Sequence, residues 1–177
     1  EQIQFFNPPV TITSFTLATA ATGTTVTING SNFTAATAVN FGGVAASSFS
    51  VISSTSISAV VGNGASGQVR VFTPIGQGAL PGFIYIQPPT ITTFIPASAT
   101  AGTVVTITGT NFTGTTAVNF AGVPAVSFTV VSSTTITAVA PSGPSGTISV
   151  TAPGGTANAS GYSSLPTINA FTPLQGT

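Results

Sequence analysis

Apolar and hydroxyl-bearing side chains alternate along much of the chain. Val26 and Ile28 flank a threonine, as do Val105 and Ile107, and a period of two is typical of a strand with one buried face. Turn sequences recur at short intervals, at Asn29-Gly30, Gly42-Gly43, Asn63-Gly64 and Pro153-Gly154-Gly155. Many short strands, with no helical period, predict an all-β sandwich architecture.

The sequence repeats itself at a constant offset of about 79 residues, with about half of the aligned positions identical. The matching segments include Thr11–Phe15 with Thr90–Phe94, Gly30–Thr34 with Gly109–Thr113, and Ala38–Phe41 with Ala117–Phe120. Such a period indicates a tandem array in which each repeat builds its own core.

The two ends resemble parts of further repeats. Residues 3–9 resemble the junction at 83–89, and residues 166–173 resemble the opening of the second repeat at 89–96. We therefore divide the chain into a closing strand (1–8), a first repeat (9–87), a second repeat (88–165) and an opening or donor strand (166–177).

Within the first repeat, strands are predicted at 10–16, 24–29, 37–41, 44–52, 56–61, 68–73 and 80–86, with their counterparts in the second. The predicted core consists of Ile12, Phe15, Val26, Ile28, Phe33, Val39, Phe41, Phe49, Val51, Ile57, Val69 and Val71, together with the matching positions of the second repeat.

Six ordered motifs resemble the IPT/TIG domain family, and the resemblance covers nearly the whole chain. They are Pro-x-Ile-x-x-Phe (as at 89–94), Gly-Thr-x-Val-Thr-Ile, Gly-(Ser/Thr)-Asn-Phe, Val-x-Phe-x-Gly-Val-x-Ala, Ser-x-Thr-x-Ile-x-Ala-x-(Val/Ala)-Pro and Gly-x-(Ile/Val)-x-Val-x-x-Pro-x-Gly. The resemblance implies an immunoglobulin-like sandwich for each repeat. The repeats depart from each other at Leu17, which corresponds to Pro96, and at Gly62, which corresponds to Pro141.

The resemblance leaves function open, because such domains occur in bacterial surface proteins, carbohydrate-processing enzymes, receptors and transcription factors. Among these, the repetitive, cysteine-free arrays of microbial surface proteins match the composition best.

Side-chain charge is nearly absent and limits the chemistry. Glu1 and Arg70 are the only charged side chains, and the chain contains no His and no Cys. Paired carboxylates, a serine or cysteine triad, and zinc or calcium ligand sets are therefore excluded. One arginine cannot neutralise a row of phosphates, which argues against nucleic-acid binding. We expect no enzyme activity, no cofactor and no metal.

No apolar run approaches the roughly 18 residues of a membrane-spanning helix. A surface without charge lacks the usual protection against association. We therefore expect an extracellular or cell-surface protein that associates with copies of itself or is solvated by glycans.

Four asparagines lie in sequons for N-glycosylation: Asn29, Asn32, Asn111 and Asn158. Asn32 and Asn111 belong to the Gly-(Ser/Thr)-Asn-Phe motif, where asparagine could instead cap a turn while phenylalanine enters the core. Asn158 lies outside that motif, in a segment expected to be a loop.

The end segments could assemble the chain. A strand carrying Ile168 and Phe171 could complete a neighbouring copy beside its Ile3 and Phe5, giving a head-to-tail filament. Alternatively, the chain is a window of a longer covalent array. Glu1 and Arg70 could form an ion pair between chains or be two solvated groups, and an exposed pair contributes at most about 1 kcal/mol.

The sequence thus favours a structural repeat of a surface filament or adhesin stalk. A glycan- or partner-binding surface module is the alternative, and exposed rings at Tyr85 or Tyr162 would favour it. An accessory domain of a larger secreted enzyme is a further possibility.

Overall fold

The structure, a computed structural model, describes residues 8–166. The described chain contains β-strands, turns and loops and no α-helix. It divides into two compact units at the junction between Gln87 and Pro88, and each unit contains one repeat.

Each repeat contains nine strands. Those of the first repeat are β1 (Thr11–Phe15), β2 (Thr19–Ala20), β3 (Thr25–Ser31), β4 (Ala38–Phe41), β5 (Val44–Ala45), β6 (Ser48–Ser53), β7 (Ser56–Val60), β8 (Gly67–Thr73) and β9 (Gly76–Tyr85). Those of the second repeat are β10 (Thr90–Ile95), β11 (Ser98–Ala99), β12 (Val104–Thr110), β13 (Ala117–Phe120), β14 (Val123–Pro124), β15 (Ser127–Ser132), β16 (Thr135–Val139), β17 (Gly146–Ala152) and β18 (Gly155–Ser164).

The strands of each repeat form two sheets. In the first repeat the sheet orders are β1-β3-β7-β6 and β2-β9-β8-β4-β5, and in the second they are β10-β12-β16-β15 and β11-β18-β17-β13-β14. Apolar side chains from both sheets of a repeat meet in one cluster. The predicted all-β, immunoglobulin-like sandwich is thereby confirmed for both repeats.

Alternation along the strands produces the core. Val26 and Ile28 of β3 are fully buried, as are Val105 and Ile107 of β12. Because the intervening threonines point to the other face, each strand contributes alternate side chains to the core. Phe33, Val39, Phe41, Ile57, Val69 and Val71 are buried as predicted, as is Ile12.

The predicted core differs from the structure on the two edge strands of the four-stranded sheet, β1 and β6. Val51 is exposed, because β6 is an edge strand of its sheet and a bulge follows Val51. Phe49 on the same strand, and Phe15 on β1, are half-buried and pack against the cluster. Edge position therefore reduces burial where the alternation alone predicted a core residue.

Two strand predictions need correction. The single strand predicted at 44–52 is two strands, because the chain leaves one sheet after Ala45 and enters the other at Ser48. The last strand begins at Gly76 rather than residue 80, since it forms a tight hairpin with β8.

The strands near the two ends of each repeat pair in parallel. β2 lies beside β9, with Thr19 opposite Ile84 and Ala20 opposite Tyr85. β11 and β18 pair in the same way in the second repeat. Strands as short as β2 and β11 carry too few residues to show a periodic pattern, and the sequence did not predict them.

Candidate functional site

A glycine in each repeat allows the first strand to cross the third at very close range. A Cβ added to Gly109 would collide with the carbonyl oxygen of Thr90 and would lie 2.6 Å from the ring of Phe112. Gly30 has the same surroundings in the first repeat. Only glycine fits at this position. The phenylalanine three residues later in the motif is fully buried. We call this arrangement the glycine corner, formed by Gly30–Phe33 in the first repeat and Gly109–Phe112 in the second.

The asparagine of the glycine corner ties down the start of the repeat. Asn32 and Asn111 have left-handed backbones, with φ of 63° and 57°, a conformation that asparagine tolerates better than most residues. The Asn32 side-chain nitrogen donates to the Pro9 carbonyl oxygen at 2.7 Å. The Asn111 nitrogen donates to the Pro88 carbonyl oxygen at 2.9 Å. The nitrogen to which a glycan would be attached therefore already has a structural partner.

The other two sequons lie on strands. Asn29 lies on β3, half-buried, and its side chain donates to Ser14 Oγ at 3.3 Å. Asn158 is exposed on β18 opposite Ser149, so the expected loop is wrong. The hairpin of β17 and β18 is longer than its small residues suggested.

Asn158 is the asparagine at which we predict a glycan, and peptide mass mapping of the chain from its natural source would test this prediction.

Arg70 is the one charged side chain within residues 8–166. It is half-buried on β8, and its guanidinium donates to Gln68 Oε1 from Nε at 3.2 Å and from Nη2 at 3.0 Å. Glu1, its predicted partner, and the predicted assembly residues Ile3, Phe5, Ile168 and Phe171 all lie outside the described residues.

Neither tyrosine is an exposed ring. Tyr85 and Tyr162 are 8% and 3% exposed. The Tyr85 hydroxyl is 2.6 Å from Thr22 Oγ1. Tyr162 corresponds to Phe83 of the first repeat, and its ring packs against Phe120 as the Phe83 ring packs against Phe41. The buried Tyr162 hydroxyl has no hydrogen-bond partner among the described residues. Both rings therefore belong to the cores.

Rows of hydroxyl groups cross the outer face of the four-stranded sheets. In the second repeat Thr106, Thr137 and Thr129 are direct neighbours on β12, β16 and β15. Thr27, Ser58 and Ser50 have the same arrangement in the first repeat. Neighbouring strands lie about 4.8 Å apart, so each row is a short, uncharged ladder of donors and acceptors. The sequence predicted strand threonines but not their register.

The second repeat also has a surface cavity of about 370 Å³, lined by Ala101, Ser142, Gly143, Ser164, Leu165 and Pro166. The sequence analysis did not predict this cavity. It could have been found from two differences between the repeats, since Ser164 and Ala101 replace the larger Tyr85 and Thr22. Within the described chain, no group of three or more metal-ligating acidic, histidine or cysteine side chains occurs. No helix within residues 8–166 has the length and apolar character needed to cross a membrane.

Comparison with known proteins gives a family match and a set of similar folds. The IPT/TIG domain model matches residues 9–80 and 89–168. No curated protein matches. Among solved structures, a surface glycan-binding protein from a xyloglucan utilization locus of Bacteroides uniformis is 22% identical with a TM-score of 0.44, covering 89% of this chain and 50% of that one.

A surface glycan-binding protein of Prevotella bryantii is 19% identical with a TM-score of 0.41, covering 86% of this chain and 42% of its own. The extracellular region of plexin A4 is 23% identical with a TM-score of 0.44, covering 84% and 17%. The chain thus spans half or less of the length of these proteins.

The glycine corner generates a prediction about Asn111. Asn111→Gly keeps the left-handed backbone and loses the hydrogen bond to Pro88 and the longer one, at 3.4 Å, to Thr110 Oγ1. The second repeat should therefore lose about 1 kcal/mol of unfolding free energy. Asn111→Ala adds the left-handed backbone penalty and should cost about 2–3 kcal/mol. Urea denaturation of each variant measures both values.

Asn158→Ala is the matched control, since it removes another sequon asparagine from an exposed position and should change stability by no more than about 0.5 kcal/mol. Equal effects of Asn111→Ala and Asn158→Ala would show that Asn111 has no structural role.

Proposed function

Because the chain belongs to the IPT/TIG domain family, we propose that its two repeats are non-catalytic, load-bearing modules of an extracellular surface protein. The parallel pairing of the strands near the two ends of each repeat carries this proposal. Tension along the chain would enter a repeat before its first strands and leave it after its last strand.

The hydrogen bonds of this pairing join β2, near the start of the repeat, directly to its last strand. In the first repeat the Ile84 N–H donates to the Ala18 carbonyl at 2.7 Å and the Ile86 N–H to the Ala20 carbonyl at 2.9 Å. Pulling on the two ends slides parallel strands past each other, so these bonds are loaded together rather than one after another. β1 precedes β2 and pairs with β3, so it is pulled away first. The β2–β9 pair is loaded next, ahead of the hairpins β6–β7 and β8–β9.

The second repeat has the same arrangement. The Ser163 N–H donates to the Ala97 carbonyl at 2.8 Å, and the Leu165 N–H donates to the Ala99 carbonyl at 2.9 Å. Repetition of this pairing, together with the repeated core, is what a module that adds length and strength to a surface protein requires. Linkage to further modules by strand exchange or by covalent continuation remains a proposal, since Ile3, Phe5, Ile168 and Phe171 lie outside the described residues.

Single-molecule pulling of the full chain tests this proposal. We expect two unfolding events, each releasing about 80 residues and therefore about 26–29 nm of extended chain before subtraction of the folded length. Ile84→Pro removes one of the loaded N–H donors and should lower the force of one event while the other is unchanged.

Ile84→Ala is the matched control, because it shortens the same exposed side chain and keeps the donor. It should leave both forces near those of the unmodified chain. An unfolding force that Ile84→Pro does not lower would contradict the load-bearing role of the parallel pair.

Glycan contact is the second candidate function, and the hydroxyl rows favour it. Neutral sugars offer many hydroxyl donors and acceptors and no charge, which matches an uncharged row such as Thr106, Thr137 and Thr129. With both tyrosines buried, such contact would depend on hydrogen bonding across the sheet face rather than on an aromatic platform.

Affinity electrophoresis in gels containing neutral polysaccharides tests glycan contact. Replacing Thr106, Thr129 and Thr137 by valine keeps shape and strand preference but removes three hydroxyls. At about 0.5–1.5 kcal/mol for each hydrogen bond, binding should weaken at least about 10-fold. Valine at Thr113, Thr147 and Thr156, which are exposed outside this row, should leave binding unchanged. Absence of retardation for the unmodified chain would contradict glycan contact and leave the load-bearing proposal standing.

A further inference from the structure

The cavity of the second repeat lies where the first repeat holds a tyrosine ring. Ser164 occupies the position of Tyr85, because Ala99 pairs with Ser164 as Ala20 pairs with Tyr85. The backbone is held in the same way in both repeats. The Ser164 N–H donates to Ser145 Oγ at 2.8 Å, and the Tyr85 N–H donates to Ser66 Oγ at 2.9 Å.

In the first repeat the ring of Tyr85 fills this place. It is part of the buried cluster, and its hydroxyl is 2.6 Å from Thr22 Oγ1. A Cβ added to Gly64 would lie 3.1 Å from the ring, so glycine lets the ring pack against the backbone. The first repeat therefore shows what this part of the sandwich accommodates: a planar ring with a hydroxyl at its far end.

In the second repeat three of the surrounding side chains are smaller while the strand pairing is unchanged, and Pro141 replaces Gly62 beside them. Ala101 replaces Thr22, Ser142 replaces Asn63, and Gly143 is retained at the position of Gly64. Together with Ser164, Leu165 and Pro166 these residues line the cavity of about 370 Å³. In addition, the buried Val61 of the first repeat corresponds to the smaller Ala140. The cavity of the second repeat therefore lies where these reductions in size meet, at the place that the Tyr85 ring fills in the first repeat.

The lining selects a neutral ligand. Leu165 and Pro166 offer apolar surface, Ser142 and Ser164 offer hydroxyls, and none of the six lining residues is charged. The volume lies in the range of small-molecule sites, about 300–1,000 Å³. Since a tyrosine occupies the corresponding place in the first repeat, a phenol ring matches both the apolar and the polar parts of the lining.

We propose that the second repeat binds the side chain of a tyrosine from a partner polypeptide in this cavity. The bound ring takes the place that Tyr85 takes in the first repeat. This site is independent of the load-bearing role, because the parallel pair of β11 and β18 uses backbone hydrogen bonds that the ring does not replace.

The probe for this proposal is 4-methylphenol, which is the tyrosine side chain itself. Ligand-detected NMR on the full chain should show saturable binding with a dissociation constant of about 1 mM or tighter. Binding should also raise the melting temperature of the second repeat, because the ligand favours the folded state. A short tyrosine-containing peptide should compete with 4-methylphenol, and its phenylalanine analogue should compete less well. Methyl glucoside should not compete.

Two reciprocal variants locate the site. Combining Ser164→Tyr with Ala101→Thr installs the first repeat's pair, fills the cavity and should weaken binding of 4-methylphenol at least 10-fold. Ser160→Tyr, at an exposed position of the same strand, should leave binding unchanged. Tyr85→Ser should lower the melting temperature of the first repeat and add a second binding site there.

No saturable binding of 4-methylphenol by the full chain would overturn the proposal. Binding that survives Ser164→Tyr with Ala101→Thr would also overturn it, since the ring would then bind elsewhere. Competition by methyl glucoside as effective as that of the tyrosine peptide would assign the cavity to a sugar instead.

Discussion

The close crossing of the first and third strands at a glycine is the constraint on which each repeat depends. Gly30 and Gly109 lie directly against the carbonyl oxygens of Thr11 and Thr90. That approach places the following asparagine where it can hold the start of the repeat, and the following phenylalanine at 0% exposure in the core. The two sheets of the sandwich then close over that ring, so one small backbone position determines how the first strand joins the fold.

With almost no charge, the repeats are held by apolar burial and hydrogen bonding alone. Such a fold has little to titrate, and its stability should depend weakly on pH and salt. What the two repeats share is the core, the glycine corner and the parallel pair, which are the parts of a scaffold. The repeats differ in the surroundings of Tyr85 and Ser164, and the cavity of the second repeat lies there. The two repeats thus share one framework and differ locally around Tyr85 and Ser164.

Much of this could be predicted from the sequence, because the repeat presents the same alternation twice. Phe33 and Phe41 are buried as expected, and the motifs identified the family. The predicted core wrongly includes Val51, because alternation does not reveal which strand is an edge. The sequence predicts a loop at Asn158, because its alanine and serine neighbours carry weak strand preference, whereas pairing with Ser149 places it on a strand. The cavity depends on which residues meet across two sheets, and alignment of the repeats shows the small residues but not that they line one space.

Substitution of the corner glycine tests the central role of this constraint most directly. Gly109→Ala should lower the unfolding free energy of the second repeat by more than about 3 kcal/mol, because backbone and ring both obstruct the added methyl group. Gly102→Ala, with a left-handed φ of 85° and open space around it, should cost only about 1–2 kcal/mol. The unfolding transition of the first repeat should be unchanged in both. A Gly109→Ala cost no larger than that of Gly102→Ala would contradict the account.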